Sequence, residues 1–593
     1  MLTPTPLEEL LDLAADVIGG DRRVLPAGAA GSPFITLGGG LGQAVRLQAR
    51  AERQLGLAVD LAQLLGPAPL ADVLARARPA PRRAAGGGER GAAVRALLPG
   101  QSAALAAERE AGAGAVTRIL SAELSGPLDT DALRRALAAL GARHEGLRTA
   151  FAATARGPVR RVLAVCPPSL VTLEAVAAGP GEDLVAAAHA RLAVRAGRLV
   201  TRPGLPPLAF ALTPLATGRH LLSFVHHDAV ADSRSAALVW RELLADYDRA
   251  VRRRPLDRAP RPGPDTAGRG GAGGRGGPAR ILPPGADPHP EHPQRAPHPE
   301  HPRHAEPADH TDHTDHTESA ERAESAERQR GVAAGRTGAP GSGPAAARDV
   351  RGERLLLGLG TRLRDAADAT ARRAGVPHST VLLAAWALAV GRRTGRERLL
   401  VDAEMPGRPT AELLGTVVPC AATAPVVCEL EGGVDYFLRG VACAFSEALQ
   451  YADPDDGAAV RGAAAPASPP SPAPARVTFA ARDELLPASV RAGALTARFH
   501  HGHSGAVTAD AALTVLRWHE HPLLSLEFAS ARLPRAQAAQ LARTLRAALT
   551  ALATSPPHTP VDDLALTPAD DLPKNPPTRT DTPAARPLAL PLP

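Results

Sequence analysis

Two adjacent histidines followed by two aspartates form the part of the chain whose residue types and spacing could do chemistry. His226 and His227 end an apolar run, and Asp228 and Asp232 lie in the segment that follows. A neutral imidazole near a substrate can take up a proton or orient an attacking group. The motif therefore indicates general acid–base or positioning chemistry, and the alternative is a histidine pair that only ends a strand.

The elements that must position this motif can be read from the apolar pattern. Residues 220–225 predict a buried strand that delivers His226 to a loop, and a helix through residues 240–244 follows. Farther upstream, residues 125–129 end a strand and open a helix, with Asp129 as a good N-cap. The apolar stripe of that helix consists of Leu133, Ala136, Leu137 and Leu140.

The second half of the chain repeats this alternation of strands and helices. Residues 379–393 predict an apolar helix, and residues 399–408 predict a strand that follows it. Residues 524–529 predict a further strand, and residues 534–552 a closing amphipathic helix. The chain thus predicts an α/β protein with two large blocks.

Residues 143–151 read Arg-His-Glu-Gly-Leu-Arg-Thr-Ala-Phe and match the motif Arg-His-Glu-x-Leu-Arg-Thr-x-Phe of one known family. With the other ordered motifs, including the segment 415–418, the chain resembles the condensation domain of nonribosomal peptide synthetases over roughly 97–565. The resemblance implies an α/β (α+β) fold of two lobes, each like chloramphenicol acetyltransferase, set in a V with a tunnel at the seam.

The resemblance also implies roles for the histidine motif. In the family the second histidine contacts the amine and the thioester, and the later aspartate pairs with an arginine, for which Arg143 is the candidate here. Counting from the strand makes His227 catalytic, with His226 beside it and Asp232 structural. Counting back from the helix puts Asp228 in the catalytic position. Because strands resist register slips, we favour His227; in both registers Ser233 replaces a glycine.

The N-terminal block predicts helices at residues 5–18, 44–56 and 70–77. Its segment 37–41 reads Leu-Gly-Gly-Gly-Leu and resembles the turn of acyl or peptidyl carrier proteins. In that family a serine at the position of Leu41 bears phosphopantetheine. Leucine cannot accept the arm, so the resemblance implies a carrier-like helical domain that carries no cofactor and could still dock a partner.

Composition shifts divide the chain into six segments. We expect a carrier-like domain at 1–78, a linker at 79–96, an N-terminal lobe at 97–254 and a C-terminal lobe at 351–565. Residues 255–350, rich in Gly, Pro and His, and the tail 566–593 predict disorder, because they cannot bury enough apolar surface to offset chain entropy.

Several function classes are disfavoured by composition. The net charge of +7 is spread along the chain rather than clustered, so we expect no nucleic-acid partner. The longest apolar run, 381–390, is too short to span a membrane, and the acidic N-terminus does not resemble a secretory signal. Four scattered cysteines without a CxxC pair suggest a reducing cytoplasm. No metal site is expected, because the histidines at 500–503 have no acidic residue at ligand spacing.

The resemblance implies a transferase that forms an amide or ester from a carrier-bound acyl or aminoacyl thioester and a small amine or alcohol. No cofactor is expected on this chain, and phosphopantetheine would arrive on partner carrier proteins of a nonribosomal peptide or polyketide assembly line. A catalytically impaired docking module of the same fold is one alternative. A coenzyme A-dependent acyltransferase is another.

Overall fold

The structure is a computed structural model of the chain, and it describes most of the two predicted lobes and the N-terminal block. The described residues are 5–18, 25–26, 28–80, 93–112, 114–154, 157–176, 183–216, 218–261, 351–407, 411–451, 476–482, 485–519 and 521–566. The predicted insert 255–350 and the predicted tail 566–593 lie almost wholly outside them.

The N-terminal domain is a small helical unit with its own apolar core. Its helices are α1 (Pro6–Ile18), α2 (Leu41–Arg50), α3 (Leu61–Leu65) and α4 (Leu70–Ala75), and its short strands are β1 (Leu57–Ala58) and β2 (Arg78–Pro79). Phe34 is fully buried in the core, and Gly39 is required beside it because a Cβ there would lie 2.3 Å from the Phe34 ring. The three predicted helices are confirmed; α3 was missed, because five residues carry little periodic signal.

The N-terminal lobe follows the predicted order of strands and helices. Its elements are β3 (Ala93–Arg95), α5 (Pro99–Ala111), β4 (Thr117–Ser125), α6 (Thr130–Arg143), β5 (Thr149–Thr154), β6 (Gly157–Val162), β7 (Leu170–Thr172), α7 (Leu184–Val200), β8 (Leu208–Ala216), β9 (Arg219–His227) and α8 (Ser233–Val251). Asp129 caps α6 as predicted, accepting a hydrogen bond from the Ala132 N–H at 2.8 Å. Strand β3 lies inside the predicted linker and pairs with β6.

The C-terminal lobe is built around a six-stranded sheet. Its elements are β10 (Gly352–Gly358), α9 (Thr361–Ala374), α10 (His378–Thr394), β11 (Arg398–Met405), α11 (Ala411–Leu414), β12 (Ala422–Glu429), α12 (Val434–Tyr451), β13 (Val477–Ala481), β14 (Ser489–Ala492), β15 (Leu495–His501), β16 (Ala511–Arg517), β17 (Leu523–Ala529) and α13 (Arg535–Thr554). The strand order is β10-β17-β16-β13-β11-β12. Helix α10 is apolar all round because residues 380–391 are buried in the core of this lobe.

The two lobes share a sheet, which the sequence did not predict. Strands β14 and β15 come from the C-terminal part of the chain, yet they extend the N-terminal sheet in the order β14-β15-β4-β9-β8-β7. The ladder runs antiparallel from Thr496 opposite Ser125 to His501 opposite Leu120. Leu495 and Ala497 are buried in the N-terminal core, and this apolar alternation fixes the register.

The N-terminal lobe also continues beyond its predicted end at residue 254. The Arg143 guanidinium donates to the Asp257 carbonyl at 2.6 Å, and the Arg261 N–H donates to the Arg143 carbonyl at 2.8 Å. Residues 257–261 therefore pack against the end of α6 instead of beginning the insert.

Among the described residues no single helix is long and apolar enough to cross a membrane. The bent pair of α9 and α10 meets the length and composition criterion only when the two helices are taken together.

Candidate functional site

The histidine motif ends β9 where the two lobes meet. His226 and His227 are the last two residues of β9, so their side chains project to opposite faces of the sheet. Residues 228–232 form the connection to α8, whose N-cap is Asp232. The structure thus brings the strand end, the helix start and the segment 415–421 into one region.

His227 lies in a sealed position, only 3% exposed. Its Nδ1 accepts a hydrogen bond from the Ala229 N–H at 2.9 Å, so the ring proton is on Nε2, which donates to the Glu108 carboxylate of α5 at 3.0 Å. This hydrogen bond holds the pKa of Glu108 below its usual value, although burial opposes it. Both ring nitrogens are therefore engaged inside the protein, and the assignment of His227 as the catalytic residue stays a prediction.

His226 is buried on the other face, between the core side chain of Phe224 and the charged groups of Arg118, Asp228 and Asp232. It is 2% exposed, and its ring stacks on Phe224 with the centroids 4.7 Å apart. Burial lowers the pKa of His226 to about 4, so the ring is neutral near neutral pH. Its Nδ1 has no hydrogen-bond partner among the described residues.

Asp232 and Ser235 fasten the start of α8 to the segment 415–421. One Asp232 oxygen accepts from the Ser235 N–H at 2.7 Å, and the other accepts from the N–H groups of Cys420 and Ala421 at 3.0 and 3.1 Å. The Ser235 hydroxyl donates to the Val418 carbonyl at 2.7 Å and accepts from the Val418 N–H at 3.0 Å. The prediction that Asp232 has a structural role at this position agrees with these contacts.

The predicted pairing of Asp232 with Arg143 is wrong. Arg143 is 3% exposed and contacts Glu242 at 2.6 Å and Asp246 at 2.5 Å, and His144 contacts the same Glu242 carboxylate at 2.7 Å. Glu242 lies ten residues beyond Asp232 in the sequence, which is about 15 Å along a helix. The end of α6 lies beside the middle of α8, too far along the helix for Arg143 to reach Asp232.

Asp228 is the motif residue that faces charges from both lobes. Its carboxylate accepts two hydrogen bonds from Arg118 Nε, at 3.0 and 3.1 Å, and one from Nη2 at 2.8 Å. Asp228 is the main cause of the raised pKa of Arg118, to which Glu527 and Glu404 of the C-terminal lobe also contribute. The Asp228 carboxylate thus lies among charged side chains at the seam, and its assignment to the catalytic position by the register counted back from α8 stays a prediction.

A second group of charged residues joins the lobes beside Asp228. The Ser233 hydroxyl of α8 donates to Glu404 of β11 at 2.8 Å, and Arg482 contacts the same carboxylate, with Nε 3.2 Å from Oε2. Burial by itself lowers the pKa of Arg482, but Glu404 outweighs it and the net shift is upward. The seam is therefore lined by ion pairs.

The histidines at 500–503 each lie near charged groups. His500 lies 3.4 Å from Glu123, and His503 lies 3.6 Å from Glu527. Burial, with help from Arg482 and other cations, lowers the pKa of His501 to about 3. No group of three or more His, Cys, Asp or Glu side chains in the described residues could hold a metal ion.

Leu41 of the N-terminal domain also reaches the seam. It lies in the wall of a cavity with Asp232 and Ser233 of α8, His378 of α10 and Glu404 of β11. Leu41 is the first residue of α2 and follows the N-cap Gly40. The residue that stands at the predicted arm position thus lies beside the residues that join the two lobes.

Comparison with known proteins identifies the fold. The first condensation domain of the calcium-dependent antibiotic synthetase superposes with a TM-score of 0.56 and 19% identity, covering 80% of this chain and 99% of that domain. The X-domain from teicoplanin biosynthesis, solved in complex with OxyB, gives a TM-score of 0.53 and 21% identity, covering 82% of this chain and 98% of the other. The chain therefore has the mixed α/β fold of condensation domains, and this prediction is confirmed.

Part of the chain is similar in sequence to a nonribosomal peptide synthetase. The probable non-canonical nonribosomal peptide synthetase CymA of Salinispora arenicola is 36% identical over 143 residues, which make up 24% of this chain. The match spans only 2% of the length of that relative. No protein-family model matches the chain.

Proposed function

We propose that the chain is a docking module with a condensation-domain fold, which binds partner proteins of a nonribosomal peptide or polyketide assembly line without forming the amide or ester bond. The observation that carries this proposal is the state of the motif. Asp228, held by Arg118, faces the seam, and both ring nitrogens of His227 are bound inside the protein.

The physical reason lies in what each group can still do. General-base catalysis needs a lone pair within hydrogen-bond reach of the proton that is removed. His227 offers no free nitrogen. An ionised carboxylate can only accept hydrogen bonds, and that of Asp228 already accepts three from Arg118, so it cannot replace an imidazole that donates and accepts.

The fold is compatible with a binding role. The teicoplanin X-domain was solved as a complex with OxyB, so a neighbour of the same fold forms a protein complex. The partners proposed here are carrier proteins of an assembly line, and any phosphopantetheine would be attached to them. This chain would need no cofactor of its own, because Leu41 stands where the resemblance puts the arm-bearing serine.

A second candidate is the transferase implied by the resemblance, with His227 as its base. The observation that favours it is the single hydrogen bond between His227 Nε2 and the Glu108 carboxylate, which is 21% exposed. A movement of α5 that withdraws Glu108 would free Nε2, and Nε2 would serve as the base once its proton had moved to Nδ1, which also requires loss of the hydrogen bond from the Ala229 N–H. The donor would then be a carrier-bound acyl or aminoacyl thioester, and the acceptor an amine or alcohol.

The test is turnover with carrier-loaded and coenzyme A-linked acyl donors and an amine acceptor. We expect wild type to be inert with both donors. We expect Asp228→His to show turnover, because the substitution places an imidazole at the seam. Asp228→Asn is the matched control, since it also weakens the contact with Arg118.

Turnover by wild type that falls ~10²–10⁴-fold in His227→Ala would establish the second candidate instead. Turnover only with the coenzyme A-linked donor would identify a free-standing acyltransferase.

A further inference from the structure

The N-terminal domain closes one side of the seam with an alkyl side chain. Leu41 lies in the walls of two adjoining cavities. The first includes the polar or charged residues Ser233, Glu404 and Arg482. The second includes the apolar residues Leu383, Phe445 and Phe479. Leu41 therefore contacts both the charged residues where the lobes meet and an apolar part of the C-terminal lobe.

Leu41 is not the only contact between this domain and the condensation fold. Leu449 of α12 packs against the core of the C-terminal lobe and also against the core of the N-terminal domain. Helix α2 lies against α11, and α3 lies against α12. Apolar side chains shared between two cores are removed from water together, so this contact is favourable.

Two residues of the same charge, Arg46 and Arg241, lie near each other at this interface. Burial lowers the pKa of Arg241 on α8, and the nearby Arg46 of α2 lowers it further. Two positively charged guanidinium groups that lie near each other repel. The apolar contacts at Leu41 and Leu449 thus hold the domain against a repulsive contact at its edge.

We propose that the N-terminal domain is a resident occupant of the seam. The turn at Leu41 covers a surface of the same chain. A carrier protein from another chain would bring its phosphopantetheine arm to that surface. A free carrier reaches this side of the seam only after the domain withdraws. The occupancy follows from the contacts above, whereas the identity of the excluded partner rests on the proposed function.

Leu41→Asp and Leu449→Asp test the occupancy from the two sides of the contact. An aspartate at position 41 leaves α2 intact, because carboxylates are favourable at a helix N-terminus. Thr36→Asp is the matched control, since Thr36 is an exposed side chain near the same turn. The reporter is Ser379→Cys, placed at a residue that lines both cavities with Leu41.

The readout is the rate at which N-ethylmaleimide labels the thiol introduced by Ser379→Cys in the full chain, measured by peptide mass spectrometry. The exposed Cys443 is the internal reference. If the seated form is populated to roughly 90%, releasing it speeds labelling about tenfold in Leu41→Asp and in Leu449→Asp, with no change in Thr36→Asp. Equal rates in all four backgrounds would overturn the occupancy.

Coenzyme A, which presents the same phosphopantetheine arm, tests the identity of the excluded partner. We expect binding by native mass spectrometry to Leu449→Asp, whose substitution lies outside both cavities, and none to wild type. Faster labelling without coenzyme A binding would leave the occupancy standing and reject the seam as a site for the arm. Equal binding to wild type and variant would reject exclusion. Neither result depends on whether the chain catalyses a reaction.

Discussion

The two ends of the segment 228–232 differ in what they retain of the condensation-domain motif. At the helix end, Asp232 and Ser235 hold α8 to the segment 415–421 by hydrogen bonds. At the strand end, an aspartate bound to Arg118 faces the seam, and the adjacent imidazole is sealed against Glu108. The side chains that hold the site together are therefore not the side chains that would perform its chemistry. The supporting contacts can be complete while the catalytic group is missing.

The largest effect is expected at the helix end. Asp232→Ala removes an N-cap and two hydrogen bonds from backbone N–H groups to a buried carboxylate. We expect a loss of about 3 kcal/mol in the free energy of unfolding, measured by urea denaturation. Asp131→Ala is the control, because its exposed side chain pairs with the exposed Arg134, and it should change stability by less than about 0.5 kcal/mol.

A double-mutant cycle with Arg143→Ala sharpens this prediction. Arg143 and Asp232 have separate partners in the structure, so their effects should add within about 0.5 kcal/mol. A coupling well above that value would restore the direct pairing that the sequence predicted.

An intermediate effect is expected from pH, through the buried histidines of the N-terminal lobe. Burial lowers the pKa of His226 to about 4 and that of His189 to about 3. The unfolded chain binds these protons near pH 6.5 and the folded chain does not, so stability falls as pH drops below 6.5.

Each histidine should contribute a loss of about 1.2 kcal/mol between pH 6 and pH 5. Urea unfolding at these two pH values measures the slope, and His226→Phe should reduce it by one histidine's share. An unchanged slope in that variant would show that His226 is protonated in the folded protein.

The smallest effect is expected at the strand end. Asp228→Asn weakens an ion pair whose side chains are 29% and 36% exposed, and such pairs contribute ~0–1 kcal/mol. We therefore expect the free energy of unfolding to change by less than about 1 kcal/mol. A loss as large as that of Asp232→Ala would remove the contrast between the two ends, because both would then be structural.

The sequence predicted the elements of the fold better than the contacts between them. The Asp129 cap, the strand at residues 220–225 and the apolar helix α10 all follow from local patterns, and the structure contains each, with the strand extended to His227. The pairing of Arg143 did not follow, because the sequence does not show which turn of α8 lies beside the end of α6. Arg143 was therefore paired with the carboxylate of Asp232, whereas its partners in the structure are Glu242 and Asp246.

The residues that decide the site were missed for a similar reason. Arg118 and Glu108 are separated from the motif by more than a hundred residues, and only the pairing of β4 with β9 brings Arg118 beside Asp228. One signal was available: strand β4 carries two charged residues, Arg118 and Glu123, and a charge in a buried strand needs a partner. The location of Leu41 at the seam had no comparable signal.

The strand shared between the lobes has a consequence for synthesis of the chain on the ribosome. The outer edge of β4 pairs with residues 496–501, which are made after the whole N-terminal lobe and more than half of the C-terminal lobe. At ~5–20 residues per second, that edge waits about 20–75 s for its neighbour. An open strand edge is a template for pairing with other chains, so the nascent N-terminal lobe is exposed to aggregation during this interval. Its final sheet is completed only when almost the whole chain has been translated.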